Sequence, residues 1–187
     1  MNKKIKVLVV TLVFTLSVFL IFVQWIDMSY PVKYSKYIGE YSMKYSLDPI
    51  LIYSVINTES GFDPEARSHA NAIGLMQLQK KTVMDMAKDN TNIITDFDLT
   101  DPAVNIEYGC KYLSWLLAYY KGNMKYALCA YNAGLGNVNN WLNCVEYVNE
   151  SGELIKIPFE ETKNYIESIE NNYKIYNIFK KIGKISN

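Results

Sequence analysis

Histidine is nearly absent from this chain of 187 residues, with His69 the only one, and cysteine is scarce and odd in number. A lone histidine cannot build a histidine-rich metal centre. Cys110, Cys129 and Cys144 are not spaced like zinc ligands either, so no metal is expected. Three cysteines allow at most one internal disulfide, and Cys110 and Cys129 fall in apolar helical patterns where cysteine behaves as a small buried hydrophobe. Net charge is lacking as well: Lys+Arg and Asp+Glu both total 19. With no basic field, nucleic acid is not an expected partner. There is no internal repeat and no low-complexity linker. The length fits one domain with a sizeable core plus a short appended segment.

What the chain does have is an apolar N-terminal run. After Lys3, Lys4 and Lys6, the stretch Val7 to Ile26 is interrupted only by hydroxyl residues and Gln24. About 20 such residues suffice to cross the hydrocarbon core as a helix. The lysines belong on the cytoplasmic side, which places the body on the extracytoplasmic face of the cell membrane, held by a single pass. The competing reading is a cleaved signal peptide. Its apolar region is ordinarily shorter and ends in a small-x-small site, whereas this run ends in Val23-Gln24-Trp25-Ile26-Asp27, with Trp25 and Tyr30 suited to the interface. Residues 1–30 are therefore read as cytoplasmic lysines plus transmembrane anchor, and residues 31–187 as the functional domain. With the three early lysines set aside, that domain is slightly acidic.

The body reads as mainly helical. Val32, Ile38, Tyr41 and Tyr45 form a helical stripe ending near Leu47. Asp48-Pro49 supplies an N-cap and a first-turn proline for a helix that buries Ile52, Val55 and Ile56 and stops at Gly61. Residues 63–71 form a polar loop, and a short helix follows over 82–87. Asp101-Pro102 starts a long helix reaching Tyr120, which Gly122-Asn123 breaks. Another helix spans 124–133, and Gly134-Leu135-Gly136-Asn137 turns the chain. Residues 144–158 suit a small hairpin or irregular flap, the only β element expected. A last helix covers 160–182. Most of the 16 tyrosines recur at helical spacing and are expected in the core, while His69 and the cluster Lys180, Lys181 and Lys184 are expected in solvent.

Three strings carry the chemistry: Glu59-Ser60-Gly61-Phe62, Gly74-Leu75-Met76-Gln77 and Ala130-Tyr131-Asn132-Ala133-Gly134. Glu59 lies in the last turn of its helix, where the negative end of the dipole and partial burial both raise a carboxyl pKa. A raised pKa suits an acid that protonates a leaving glycosidic oxygen near neutral pH. The second string offers a glycine for close backbone approach, a flexible thioether and an amide, the mixed apolar and polar contact a sugar needs. The third adds a phenol and another amide among small residues. Alone, the first string reads more readily as a surface helix end and the third as helix packing, and the second is also readable as an ordinary turn followed by core residues.

Together the strings resemble the soluble lytic transglycosylase catalytic domain, a lysozyme-like fold of glycoside hydrolase family 23. The resemblance covers about Tyr34 to Tyr176 and includes Asp101-Pro102, Asn105-Ile106 and Ile157-Pro158-Phe159-Glu160-Glu161-Thr162. It implies a lysozyme-like helical domain that cleaves the β-1,4 bond between N-acetylmuramic acid and N-acetylglucosamine in peptidoglycan. By the same resemblance, Glu59 is the single general acid and then base. The muramic acid C6 hydroxyl closes onto C1 to leave a 1,6-anhydro end, and the substrate's N-acetyl group stands in for a second carboxylate. Ser68, nine residues from both Glu59 and Gln77, matches the serine that contacts the N-acetyl region. Met76, Gln77 and Tyr131 match cleft-lining residues, Asn132 supports Tyr131, and Glu161 matches a late secondary glutamate. Asn71 replaces a common glycine, Lys80 a frequent proline and Lys163 a frequent arginine. Asparagine tolerates positive φ better than most residues. No cofactor is implied; the partners are glycan strands and the membrane. A muramidase that hydrolyses the same bond, and an inactive wall-binding module, are the competing functions.

Overall fold

The structure is a computed structural model and describes residues 2–88 and 97–185. Eight helices follow in order: α1 (Lys3–Ser29), α2 (Ser35–Lys44), α3 (Pro49–Ser60), α4 (Lys80–Ala87), α5 (Pro102–Tyr119), α6 (Met124–Ala133), α7 (Leu135–Leu142) and α8 (Glu160–Lys181). Among the described residues, β structure is limited to the isolated bridges Arg67–Ile73, Ile73–Leu78 and Val148–Leu154. The mainly helical class is thus as expected, and the 144–158 segment holds one bridged turn. Asn149 Oδ1 organises that turn by accepting from the Ser151 and Glu153 N–H groups.

The helix boundaries follow from local chemistry. Asp48 caps α3 by accepting from Ile50 N at 2.9 Å, and Pro49 occupies the first turn, where a missing N–H costs nothing. Gly61, at φ +59°, ends α3 in the left-handed conformation that glycine adopts without strain. Asp101 caps α5 in the same way, accepting from Ala103 N at 2.7 Å. Beyond α5, Gly122 N donates to Leu117 O and Lys121 N to Ala118 O, closing the helix end where Gly122-Asn123 stood in the sequence. Asn123 then caps α6.

One expected turn is a helix. Gly134 does turn the chain, at φ +87°, but α7 begins at the next residue. Its apolar contacts come from Val138 and Trp141, both buried. Two glycines and three asparagines around them lower the intrinsic helix preference, so tertiary packing supplies what propensity withholds.

The core is centred on α3, where every residue from Ile50 to Ile56 is buried. Such a helix has no solvent face. It packs chiefly against α8, with α2 beside it; α5 packs on α2 and α6, and α6 packs on α8. Tyrosine is a core residue here, as its spacing indicated. Tyr53 and Tyr176 lie with ring centroids 5.3 Å apart. Their hydroxyls are satisfied by Ser35 Oγ at 2.8 Å and the Pro31 carbonyl at 3.0 Å. Cys110 and Cys129 are buried free thiols, and burial pushes the Cys129 thiol up to about 11. α1 differs throughout: it buries no residue, and among the described residues it is the one helix long and apolar enough to cross a membrane.

Candidate active site

The loop after α3 folds back on itself to form one wall of a cleft. Ser68 Oγ accepts from the N–H groups of Ala70 and Ala72 at 3.2 and 3.1 Å, and Asn71 sits at φ +59° between them. Asparagine at the position of a common glycine therefore adopts the left-handed backbone it tolerates. Gly74 N donates to Ala66 O at 2.9 Å, and Gly74 itself lies at φ +79°. A Cβ at Gly74 would collide with the Asn105 amide and the Leu99 carbonyl. Its glycine requirement therefore arises from a buried asparagine of α5, and the close approach expected for a sugar is made by Asn105.

Asn105 is fully buried and carries the loop. Its Oδ1 accepts from Met76 N at 2.7 Å, and its Nδ2 donates to the carbonyls of Ile73 at 2.9 Å and Leu99 at 2.8 Å. The Met76 side chain is also fully buried, against Gly109 of α5. Its backbone carbonyl faces the site and accepts from the Tyr131 hydroxyl at 2.8 Å. Met76 thus meets the site through its peptide group, while the thioether belongs to the core.

The cleft has a volume of about 320 Å³, and its lining includes Glu59, Ser68, Gln77, Tyr131, Asn132 and Glu161. The structure therefore brings together the sequence candidates other than the Met76 side chain. Glu59 rises from the last turn of α3. Burial lifts its carboxyl to about 7; the negative charge of Glu161 adds to the lift, and the Tyr165 hydroxyl opposes it. Gln77 donates through Nε2 to Ala66 O at 3.1 Å and Gly74 O at 2.9 Å. Both amide hydrogens are thereby committed, and the amide oxygen is left to meet a ligand. Ser68, having accepted twice, retains its hydroxyl hydrogen. Asn132 Oδ1 accepts from the buried Thr162 Oγ1 at 2.7 Å, which ties the end of α6 to the start of α8. Glu161 stands exposed on that first turn of α8.

Two tyrosines of the site escaped sequence reasoning. Tyr112 of α5 lines the cleft, its ring 5.3 Å from that of Tyr131. Tyr165 of α8 is buried with its hydroxyl beside Glu59, and among the described residues that hydroxyl has no hydrogen-bond partner. Desolvation first, then the charge of Glu59, pushes its pKa well above the usual phenol value. Tyr165 was legible only as part of the apolar stripe of the last helix. Its place four residues after Glu161, on the same helix face, was the available signal.

Chemically, the cleft presents an acid that holds its proton near neutrality, an amide oxygen, a free hydroxyl hydrogen and an aromatic wall. Among the described residues no cluster of His, Cys, Asp or Glu suits a metal ion.

Known proteins share the family and the fold of this chain. The family model for the transglycosylase SLT domain matches residues 36–151. The chain is 28% identical over 149 residues to the soluble lytic murein transglycosylase of Salmonella typhimurium, covering 77% of this chain and 23% of that protein. It is 32% identical over 166 residues to the membrane-bound lytic murein transglycosylase C of Salmonella arizonae, covering 75% and 46%. Among solved structures, an inactive mutant of the lytic transglycosylase Slt from Pseudomonas aeruginosa superposes with a TM-score of 0.73 at 28% identity, covering 86% of this chain and 26% of that one. The 70-kDa soluble lytic transglycosylase in complex with bulgecin A gives 0.72 at 27%, covering 80% and 25%. The chain thus spans about a quarter of the length of the soluble relatives and under half that of the membrane-bound one.

Proposed function

We infer, from a chain that belongs to the transglycosylase SLT domain family, that residues 31–187 form a peptidoglycan lytic transglycosylase domain cleaving the bond between N-acetylmuramic acid and N-acetylglucosamine. The observation that carries this reading is Glu59, whose carboxyl is lifted to about 7 in a cleft that also holds a phenol, an amide and a hydroxyl. Glu59 gives its proton to the bridging oxygen as the C1–O bond breaks, and the N-acetyl group of the muramic acid stabilises the positive charge at C1. Glu59, now a carboxylate, takes the proton from the C6 hydroxyl as that oxygen bonds to C1. The products are an N-acetylglucosamine hydroxyl and a 1,6-anhydro end, and the acid is regenerated.

The surrounding residues hold the sugar and shape the acid. The Gln77 oxygen and the Ser68 hydroxyl are placed to bond the substrate's polar groups, Ser68 at the N-acetyl region. Tyr131 and Met76 act as a pair, one hydroxyl on one carbonyl. Asn132 holds the end of α6 through Thr162. Burial is what chiefly keeps Glu59 protonated, and the negative charge of Glu161 adds to it.

Residues 1–30 are proposed as a single-pass anchor, with the early lysines cytoplasmic and the domain on the outer face. Membrane association is supported by the exposed apolar α1 and by similarity to a membrane-bound relative. Fractionation with N-terminal mapping tests it, and a chain beginning after residue 27 would rule it out.

The activity is tested by mass spectrometry of fragments released from purified sacculi. Anhydro ends are expected. Reducing muramic acid ends would make the protein a muramidase, and intact sacculi carrying bound protein would make it a binding module.

A further inference from the structure

The chain passes from α1 into the domain without a flexible tether. Ser29, the last residue of α1, offers its carbonyl to Asn57 Nδ2 at 3.2 Å, and Asn57 lies two residues before Glu59 on α3. Tyr30 packs edge-on against Tyr176 and Phe179 of α8, with centroids 6.0 and 6.4 Å away. Pro31 is held by the Tyr176 hydroxyl. Just beyond the apolar run, Asp27 pairs with Lys184 at 2.5 Å, and the same Lys184 lies 4.1 Å over the Phe179 ring. The end of α8 is therefore fixed beside the point where α1 leaves its apolar stretch.

That end has the character of a membrane-surface helix. Ile178 and Ile182 are 51% and 68% exposed and lie four residues apart, with Lys181 on the same side and Lys180 on the other. On the opposite face Tyr176 and Phe179 are buried in the core. Exposed isoleucines next to a lysine are tolerated in water and match the chemistry of a lipid interface. At an interface they place the apolar groups at the acyl boundary and the ammonium groups among anionic headgroups.

We propose that the last turn of α8 is a second membrane contact, seating the domain on the anionic lipid surface that α1 crosses and holding its cleft at a fixed, short height above that surface. The proposal rests on the anchor reading. It follows from continuity: the end of α8 that carries Ile178, Lys181 and Ile182 is fixed at the exit of α1 by Tyr176, Phe179 and Lys184, which hold Tyr30, Pro31 and Asp27. α8 sets the height, because Tyr165 stands at Glu59 and Phe179 stands at Tyr30. The helix between them spans about 21 Å. The substrate class narrows accordingly to glycan lying within reach of the membrane face.

The test is site-directed fluorescence in the full chain, reconstituted into phosphatidylethanolamine–phosphatidylglycerol vesicles carrying short-range quenchers along the acyl chains, from just below the headgroups to the bilayer centre. Cys144→Ser removes the partly exposed thiol, and a single label is placed through Phe14→Cys, Ile182→Cys or His69→Cys. Quenching at 14 and 182 but not at 69 is expected, and exchanging phosphatidylglycerol for phosphatidylcholine should reduce quenching at 182 alone. Quenching at 14 with none at 182 would overturn the second contact while leaving the anchor. Quenching at all three would overturn the fixed height, and none at 14 would remove the anchor and the proposal with it.

Discussion

Asn105 accepts a hydrogen bond from the backbone of Met76 at 2.7 Å, and through that bond a buried residue of α5 shapes a cleft it never enters. The same side chain donates to Ile73 and Leu99, so the 73–76 turn and the segment at Leu99 meet on one amide. Replacing it by alanine leaves the Met76 N–H and the Leu99 carbonyl without a partner, each worth roughly 1–3 kcal/mol when buried, while the Ile73 carbonyl keeps the Leu78 N–H. With some rescue by water, Asn105→Ala should cost about 3 kcal/mol. Urea unfolding of the full chain in detergent reads this directly. A loss under about 0.5 kcal/mol, the scale of an ordinary surface substitution, would show that the loop is held by other means.

Glu59 links acidity to stability. Its ordinary carboxyl value of 4.5 is raised to about 7 in the folded state. Between those values the folded protein binds a proton that the unfolded chain has released, so stability must fall as pH rises through this window. The stabilisation is fully present below pH 4.5 and is gone above about 7; at 1.36 kcal/mol per unit it amounts to about 3 kcal/mol. Glu59→Gln removes the titration. The variant should match the parent near pH 4 and exceed it by about 3 kcal/mol near pH 8, with turnover on sacculi abolished. Parallel stability curves for the two proteins would mean that Glu59 titrates normally. Wild-type turnover in the variant would end its role as the acid.

The parts of this fold legible in the sequence are those specified by local chemistry. Asp48-Pro49 and Asp101-Pro102 announce helix starts, and Gly61 and Gly122 announce ends, because caps act within a few residues. α7 was hidden because its glycines and asparagines argue for a turn, and only burial of Val138 and Trp141 against distant elements outweighs them. The candidate site was legible as three strings, yet the reasons for individual residues were not. Gly74 is required by Asn105, 31 positions later, and the Met76 thioether fills space beside Gly109. Tyr165 satisfied the apolar stripe so well that nothing local revealed its hydroxyl at Glu59. Such requirements are created only when segments far apart in sequence meet.

Tyr131 exerts its polar effect through Met76. Its hydroxyl donates to the Met76 carbonyl at 2.8 Å, so Tyr131→Phe leaves that carbonyl unpaired while keeping the ring against Tyr112. The stability cost should be about 1–2 kcal/mol. Turnover should fall, but less than in Glu59→Gln, since the acid remains. Equal rates for Tyr131→Phe and the parent would remove any polar role for this hydroxyl.

Tyr165 presents the opposite balance. Its hydroxyl is buried beside Glu59, too loosely placed for a well-formed hydrogen bond yet close enough to favour the carboxylate, so removing it sacrifices one weak interaction and relieves a desolvated group. Tyr165→Phe should therefore be as stable as the parent or up to about 1 kcal/mol more stable. The functional effect has a definite sign. The hydroxyl favours the ionised form of Glu59 and so holds its pKa down against burial and Glu161. Without it, Glu59 should retain its proton to higher pH, and the limb along which turnover declines above about pH 7 should move upward. A merely structural tyrosine would alter stability and leave that limb in place. The decisive comparison is thus the pH profile of sacculus digestion by the two proteins, and an unshifted limb would make Tyr165 a packing residue.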